Sequence, residues 1–265
     1  QNNQPTAQLY RITTDNRFPF YIYAGQQDNT TLAIPSRTLD AGISERHWYP
    51  VAGGESAFIA LDPDDPTLVY GGSYQGNLSV YNQKTGLTND IMAYPSLRLG
   101  KLPKDMKYRF NWNAPLVAQP QDPSVLYHAA NVVLRSEDKG LSWTAISPDL
   151  TRDQAEKQGA GGGPFTNEGA GGENYNTISY LACSPHQAGV IWAGTDDGLV
   201  HLTKDEGQSW REITPPNLGE AQINMIELSP HNPNKAYVVA TKYKFNNFEP
   251  LVYLTEDQGN SWRRI

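Results

Sequence analysis

An eight-residue segment that occurs three times constrains the fold of this chain more than any other feature. The copies lie at 136–143, 203–210 and 255–262, and they share the pattern Ser/Thr-x-Asp-x-Gly-x-Ser-Trp. Internal repetition of this kind indicates a fold assembled from repeated structural units. We call this segment the octet.

The octet is expected to form a tight turn between two strands. An Asp side chain can accept hydrogen bonds from backbone amides two residues on, and Gly permits the positive φ that such turns need. The Trp is large enough to anchor the following strand in a core. Because each copy follows a short apolar segment, the octet predicts a β-hairpin and a structural role for its residues. These residues are Asp138, Gly140, Trp143, Asp205, Gly207, Trp210, Asp257, Gly259 and Trp262.

The octet resembles the Asp-box, or BNR repeat, of sialidases, xyloglucan-hydrolysing endoglucanases and sortilin-type receptors. The chain as a whole is similar to bacterial BNR-repeat proteins described as glycosyl hydrolase-like or sortilin-like. This resemblance implies a β-propeller, and we expect an exported protein that is extracellular, periplasmic or attached to the cell surface. The motif is typical of a fold and does not by itself imply one activity.

A second repeat, Pro-x-x-Pro-x-x-x-Tyr, covers more of the chain. Three copies begin at Pro63, Pro120 and Pro230, and a fourth begins at Pro185 with Ala in place of the second Pro. Since Pro cannot donate to a sheet ladder, this segment is expected to be the turn between the first two strands of a unit. Both repeats together predict an all-β fold, a β-propeller of four-stranded antiparallel blades with the octet between the third and fourth strands.

Five blades are predicted within a single propeller at 1–265. Their approximate limits are 8–45, 56–95, 112–147, 176–213 and 222–265, and the first two blades lack the octet. The Gly-rich segment 159–172 is expected to be an inserted loop, because it lacks the Gly-Lys-Ser/Thr ending of a phosphate loop. Asp-box rings usually have six, seven or ten blades, so we interpret the sequence as a fragment of a larger ring. Further blades or domains of the parent chain are then expected partners.

Composition excludes several classes of function. The net charge is −7 and no basic cluster is present, which argues against nucleic acid as a partner. No apolar run approaches 18 residues, so no membrane span is expected. The single Cys183 excludes an internal disulfide. No cofactor or metal site is expected, although Asp196 and Asp197 are an alternative as Ca²⁺ ligands.

The top face of the propeller is the expected place for recognition. The octets and Pro turns share the bottom face, whereas the loops that do not repeat lie on the top face around the central channel. Arg109 is expected near the centre, and segments 27–29 and 196–198 have the alternative interpretation of plain hairpin turns. The candidate ligand-binding residues are Gln27, Asp28, Trp48, Tyr74, Arg109, Trp112, Asn113, Tyr175, Asn176, Asp196 and Asn224.

Two functions agree with this top face. Aromatic, amide and carboxylate side chains suit the binding of a glycan or of a peptide or protein ligand, and we favour this function because it requires only a shaped face. The alternative is a glycoside hydrolase, which needs two carboxyl groups. Glu55 and Glu173 each follow a Gly-Gly pair before an innermost strand and are the candidate catalytic residues. A xyloglucanase or endoglucanase is favoured over a sialidase, which should offer three arginines. A purely architectural propeller is a third possibility.

Overall fold

The structure, a computed structural model, describes residues 6–56, 58–96, 100–159 and 173–265. These residues form five four-stranded antiparallel sheets, the blades of a β-propeller. The predicted fold class is therefore confirmed. Apart from Gly159, the predicted Gly-rich loop lies outside the described residues.

Each blade contains four consecutive strands. The first blade is Leu9–Thr14 (β1), Tyr21–Gln26 (β2), Thr31–Pro35 (β3) and Tyr49–Pro50 (β4). The second is Ile59–Leu61 (β5), Leu68–Ser73 (β6), Asn77–Asn82 (β7) and Leu87–Asp90 (β8). The third is Leu116–Gln119 (β9), Asp122–Ala129 (β10), Val133–Ser136 (β11) and Thr144–Ala145 (β12). The fourth is Ile178–Cys183 (β13), Ile191–Thr195 (β14), Val200–Thr203 (β15) and Arg211–Glu212 (β16). The fifth is Gln222–Leu228 (β17), Ala236–Lys242 (β18), Asn247–Thr255 (β19) and Arg263–Arg264 (β20).

Strand order within every blade follows the sequence, so each neighbouring pair of strands is a hairpin. The first strands of successive blades lie next to one another, for example β13 beside β17. Side chains alternate between the two faces of each blade. In β18, Ala236, Val238 and Ala240 are buried and the residues between them are half-buried.

The hydrophobic core lies between successive blades. Trp192 and Val200 of the fourth blade pack with Ile223 and Val238 of the fifth. Comparable clusters join the first blade to the second, the second to the third and the third to the fourth. Burial of these faces against one another is what stabilises the ring, since one blade alone leaves both of its apolar faces in water.

The octet forms the turn between the third and fourth strands of blades three, four and five. In the first copy, Ser136 Oγ donates to Asp138 Oδ1 (2.8 Å), and Ser142 donates through its backbone N (2.8 Å) and its Oγ (2.6 Å) to the same carboxylate. Asp205 and Asp257 accept the equivalent bonds. Hydrogen bonds from Ser142 and Ser136 lower the pKa of Asp138 to about 2. This carboxylate therefore stays ionised and is unsuited to acid catalysis.

The octet also joins each of these blades to the preceding one. The indole Nε1 donates to the carbonyl of the isoleucine that follows the fourth strand of the preceding blade. The three pairs are Trp143 with Ile91 (2.9 Å), Trp210 with Ile146 (2.8 Å) and Trp262 with Ile213 (2.8 Å). The octet glycine packs on the same isoleucine so closely that a Cβ on it would lie 2.6 to 2.7 Å from an atom of that residue. We call this repeated contact the latch.

Helical structure in the described residues is limited to five three-residue 3₁₀ segments. They are Glu45–His47, Tyr74–Gly76, Pro103–Asp105, Ala155–Lys157 and Tyr243–Phe245. In the part of the chain that the structure describes, no helix has the length and apolar character needed to span a membrane.

Candidate functional site

A cavity of about 300 Å³ opens where the innermost strands and the top loops of four blades meet. Strand β1, the segments before β9 and β13, and the loops after β14 and β18 all contribute to its wall. It therefore lies on the face opposite the octets, at the mouth of the central channel. The lining residues are Tyr10, Arg11, Asn111, Trp112, Asn113, Glu173, Asn174, Tyr175, Ser179, Asp196, Gln222, Thr241, Tyr243, Lys244 and Phe245.

Trp112 is the central aromatic residue of the cavity wall. Its indole Nε1 donates to the hydroxyl of Tyr10 at 2.8 Å. Its ring stacks on Tyr74, with centroids 5.0 Å apart and planes inclined by 6°. Both contacts fix the orientation of the indole beside the cavity. Tyr74, which supports Trp112, lies directly after β6 of the second blade.

Glu55 lies in a rim network of the first two blades. Its Oε2 accepts bonds from Gln27 Nε2 (2.6 Å) and from the backbone N of Asp28 (3.0 Å). Gln27 in turn accepts a hydrogen bond from Tyr10. Among the described residues, Glu173 lines the cavity, whereas Glu55, Gln27 and Asp28 form the rim that positions Tyr10. The structure thus does not bring the two predicted catalytic glutamates into one cavity.

Asp196 is the buried carboxyl group of the cavity. Its Oδ1 accepts from the backbone N of Thr177 (2.9 Å) and its Oδ2 from the hydroxyl of Thr177 (2.6 Å). Burial, together with the charge of neighbouring Asp197, raises the pKa of Asp196 to about 8. The raised pKa favours the protonated form of this carboxyl group.

Asp197, the residue after Asp196, is held by a second set of hydrogen bonds, one of them from Asn176. Asn176 Nδ2 donates to Asp197 Oδ2 at 2.6 Å, and the backbone N of Arg152 donates to the same oxygen at 2.8 Å. Thr195 Oγ1 donates to the other oxygen at 2.5 Å. Asn176 is fully buried and has a φ of 57°. Asn176, predicted as a ligand contact, is thus bonded within the protein and is not among the residues that line the cavity.

Arg109 does not occupy the centre of the channel as predicted. Its guanidinium is buried and bonded to Asp149 (2.6 Å), Asp153 (3.1 Å) and the backbone oxygen of Asn176 (3.1 Å). Because these acceptors lie in the segment after the third blade, Arg109 ties that segment to the loop before it.

Arg11, on β1, is the arginine at the centre of the propeller. Its guanidinium carbon lies 5.0 Å from the ring centroid of Phe58 and 5.1 Å from that of Tyr180. Its Nη2 donates to the backbone oxygen of Asn224 at 3.0 Å, which joins the first blade to the fifth. Arg11 lines both the mouth cavity and a second cavity of about 280 Å³ below it. The side chain of Asn224 accepts from Thr241 Oγ1 at 2.8 Å, which is a contact within the fifth blade.

Trp48 lies on the opposite face from the prediction. It stands between β3 and β4, in the connection that corresponds to the octet turns of later blades. Its side chain is 37% exposed. The sequence interpretation placed Trp48 after the fourth strand, but β4 begins only at Tyr49, so the residue belongs to the bottom face.

Five predicted residues line the cavity and others were missed. Trp112, Asn113, Glu173, Tyr175 and Asp196 are in its wall. The lining residues on strands that were not among the candidates are Tyr10, Arg11, Ser179, Gln222 and Thr241, and those in loops include Asn111 and Lys244. For Tyr10, Arg11 and Gln222 the available signal was a polar or charged residue on an innermost strand, because such a side chain must point into the channel or be paired.

Metal ligands are not grouped in the described part of the chain. No set of three or more His, Cys, Asp or Glu residues there is arranged to hold an ion. The oxygens of Asp196 and Asp197 instead accept the protein hydrogen bonds given above.

No known family profile matches the chain. The oligoxyloglucan-reducing end-specific xyloglucanase of Emericella nidulans is 25% identical over 251 residues, which are 89% of this chain and 27% of that protein. The chain thus spans about a quarter of the length of this relative.

Solved structures share the architecture at low sequence identity. An ancestral GH74 enzyme superposes with a TM-score of 0.63 at 13% identity, over 99% of this chain and 32% of that one. The WD40 repeats of RRP9 superpose with a TM-score of 0.58 at 12% identity, over 99% of this chain and 65% of that one. At these identities the likeness shows the β-propeller fold alone.

Proposed function

We propose that this chain is an exported bacterial propeller of the Asp-box type that binds an oligosaccharide in the mouth cavity. The observation that carries the proposal is the composition of the cavity wall. The flat ring of Trp112 lies beside the amides of Asn111, Asn113 and Gln222. Apolar faces with a few placed hydrogen-bonding groups are what a small-ligand site requires.

The wall suits a sugar because it offers both kinds of contact that a pyranose needs. Trp112 is held in place by Tyr10 and Tyr74, so stacking against its exposed face costs little conformational freedom. The amide side chains can both donate to and accept from hydroxyl groups. Arg11 adds donors at the base of the cavity, and Tyr175 is buried at its side.

Xyloglucan-type β-glucans are the proposed ligand class. The support is the relative of Emericella nidulans, whose name gives xyloglucan oligosaccharides as its substrate. The size of the cavity, about 300 Å³, is at the lower end of that of small-molecule sites. We therefore expect one or two sugar units in the cavity and the rest of an oligosaccharide across the top face.

Calorimetric titration tests this function. Xyloglucan oligosaccharides, cello-oligosaccharides and a sialoside would be titrated into the 265-residue chain and into its Trp112→Ala variant. Saturable binding of a β-glucan that the variant loses is the expected result. Trp48→Ala, which removes a partly exposed Trp from the opposite face, is the matched control and should bind normally. Absence of binding to every sugar would contradict the proposal. If members of a peptide library bound instead, the cavity would be a peptide-binding site.

Glycoside hydrolysis is the second candidate, and the raised pKa of buried Asp196 favours it. A general acid must hold its proton at the working pH, a raised pKa favours that form of Asp196, and Glu173 lines the same cavity. Asp196 would donate its proton to the glycosidic oxygen, while Glu173 would accept a proton from the water that attacks the anomeric carbon. This candidate pair keeps Glu173 of the predicted pair and has Asp196 in the place of Glu55.

Release of reducing sugar distinguishes hydrolysis from binding. The wild-type chain and the Asp196→Asn and Glu173→Gln variants would be incubated with xyloglucan. Turnover that either substitution abolishes, while Trp48→Ala on the opposite face remains active, supports hydrolysis at this cavity. Binding without turnover leaves the chain a carbohydrate-binding module.

A further inference from the structure

Arg11 differs from the other arginines that the described part of the chain buries or half-buries. Each of the others donates to a carboxylate, and the pairs are Arg17 with Asp15 (2.6 Å), Arg109 with Asp149 (2.6 Å) and Arg135 with Glu137 (2.9 Å). Arg11 makes no ion pair with a described residue. Acidic residues are in excess in the chain, 28 against 21 Lys and Arg, so a shortage of partners does not explain this difference.

The surroundings of Arg11 leave its positive charge uncompensated. Its guanidinium carbon lies 5.0 Å from the ring centroid of Phe58 and 5.1 Å from that of Tyr180, and its Nη2 donates to a backbone oxygen. Its Nε is buried and donates to no described residue. Burial lowers the pKa of Arg11, because the aromatic rings offset only part of the cost of removing the guanidinium from water. An anion that reaches Arg11 in the cavity would therefore meet donors that are already desolvated and held in place.

Lys244 is a second cation of the mouth cavity. It lies in the 3₁₀ segment Tyr243–Phe245, lines the cavity and makes no hydrogen bond or ion pair with a described residue. Two acids line the same cavity, and the raised pKa of one of them, Asp196, favours its neutral form. The lining thus contains two cations against the carboxylate of Glu173, in a chain whose net charge is −7. This local excess of positive charge favours an anionic ligand.

Two amide oxygens of the cavity lining also have no partner among the described residues. They are Oδ1 of Asn113 and Oδ1 of Asn174, and both atoms are buried. Asn174 is 5% exposed, and its Nδ2 donates to the backbone oxygen of Phe110 at 2.9 Å, which orients the amide. Because an unpaired buried acceptor is costly, the ligand is expected to supply donors such as hydroxyl groups. The ligand that suits this cavity therefore combines a negative charge with hydroxyl groups.

We propose that the mouth cavity binds an acidic sugar unit, a hexuronate whose carboxylate pairs with Arg11 and whose hydroxyl groups donate to Asn113 and Asn174. The inference rests on the proposed function and specifies which unit of the oligosaccharide enters the cavity. A hexuronate carries a carboxylate where a hexose has its C6 hydroxymethyl group, so its ring can still stack on Trp112. The planar guanidinium of Arg11 also matches the geometry of a carboxylate better than an ammonium does.

A pair of ligands that differ only at C6 tests the inference. A cello-oligosaccharide, and the same oligosaccharide with its C6 hydroxymethyl groups oxidised to carboxylates, would be titrated calorimetrically into the wild-type chain. We expect the acidic ligand to bind about tenfold more tightly, because hydrogen bonds between charged groups are stronger than those of a neutral hydroxyl group. We call this ratio of affinities the acid preference. It should decrease as salt is added, since salt screens the attraction.

Substitutions test whether the acid preference comes from Arg11. Arg11→Met keeps apolar contact with both rings but removes the charge, and should abolish the preference. Trp112→Ala should weaken the binding of both ligands alike and leave the preference unchanged. Arg37→Met is the matched control, because it removes the same charge from an exposed arginine between β3 and β4, on the opposite face. In the wild-type chain, the NMR signal of the Arg11 Nε–H should shift with the acidic ligand only, which gives a test that does not depend on the folding of a variant.

Several outcomes would overturn the inference. Equal affinities for the neutral and the acidic ligand would do so and would leave the proposed function standing. An acid preference that survives Arg11→Met, or that Arg37→Met reduces as much, would show that Arg11 does not hold the carboxylate. If a C6-sulfated oligosaccharide or a sialoside bound more tightly than the hexuronate, the cavity would select a different anionic group. If no sugar bound at all, both the inference and the proposed function would be wrong.

Discussion

The indole Nε1 of Trp112 donates to the hydroxyl of Tyr10 at 2.8 Å, which connects the loop before the third blade to the innermost strand of the first. Tyr10 donates in turn to Gln27, and Gln27 donates to Glu55 at 2.6 Å. One chain of hydrogen bonds therefore runs around one side of the cavity mouth. It fixes the ring of Trp112 before any ligand arrives, which reduces the entropic cost of binding.

Tyr10→Phe should therefore weaken carbohydrate binding without unfolding the protein. Loss of one hydrogen bond that orients Trp112 costs about 1 kcal/mol, which is roughly a fivefold loss of affinity. Calorimetric titration with the β-glucan that binds best measures the effect. Tyr237→Phe, which alters a tyrosine on β18 outside the cavity, is the control. Equal affinities for Tyr10→Phe and wild type would show that the indole does not depend on this bond.

The blades could be predicted from the sequence because their signals are local. The octet places Asp, Gly and Ser within eight residues, and their hydrogen bonds close within that same turn. The Pro turn is likewise set by residues a few positions apart. The latch could not be predicted in this way, because Trp210 bonds to Ile146, 64 residues earlier. Only the folded ring brings these two residues together.

The site was predicted in part, for a related physical reason. A loop can be assigned to the top face from strand order, which brought Trp112, Tyr175 and Asp196 to the cavity. The direction of a side chain within a loop depends on its partners. Arg109 points toward Asp149 and Asp153 because their charges lie near it in the fold, and no local sequence pattern predicts that these residues meet. Arg11 was missed because it lies within a strand.

Replacement of Arg109 should mainly reduce stability, whereas replacement of Arg11 should mainly reduce ligand affinity. Arg109→Met leaves Asp149 without its buried cation and should reduce the free energy of unfolding by about 3 kcal/mol or more. Arg11→Met keeps most of the packing against Phe58 and Tyr180, and should mainly reduce ligand affinity. Urea denaturation and titration of both variants check this contrast. If the Arg109→Met protein were stable but bound no sugar, Arg109 would instead be a ligand-binding residue, as the sequence predicted.

The stability of the protein should depend on pH because of Asp196. Its pKa of about 8 in the folded state lies above the value of about 3.9 in an unfolded chain. The folded state therefore binds more protons between these two values, so the contribution of this group to stability falls as pH rises from about 4 to about 8. Asp196→Asn cannot ionise, and its thermal midpoint relative to wild type should rise by a few degrees between pH 5 and pH 8.

Asp138→Asn is the control with the opposite sign. The pKa of Asp138 is lowered to about 2, so its contribution to stability is present above about pH 4 and is lost as pH falls toward 2. The difference between Asp138→Asn and wild type should therefore be constant from pH 5 to pH 8. If both variants gave flat profiles over that range, Asp196 would not be protonated at neutral pH in the folded protein.

Because of the latch, two substitutions at the interface between the third and fourth blades should lower stability by different amounts. Trp210→Phe keeps an aromatic ring but removes the N–H that bonds to Ile146, and should cost about 1 kcal/mol, or roughly 2–4 °C in the thermal midpoint. Gly207→Ala should cost more, because its Cβ would lie 2.6 Å from the carbonyl oxygen of Ile146 at a φ of +90°. Thermal denaturation of both variants and of Trp48→Phe, which has no latch, gives the comparison. If neither substitution lowered the thermal midpoint more than Trp48→Phe does, the contact of this octet with Ile146 would not stabilise the interface between the two blades.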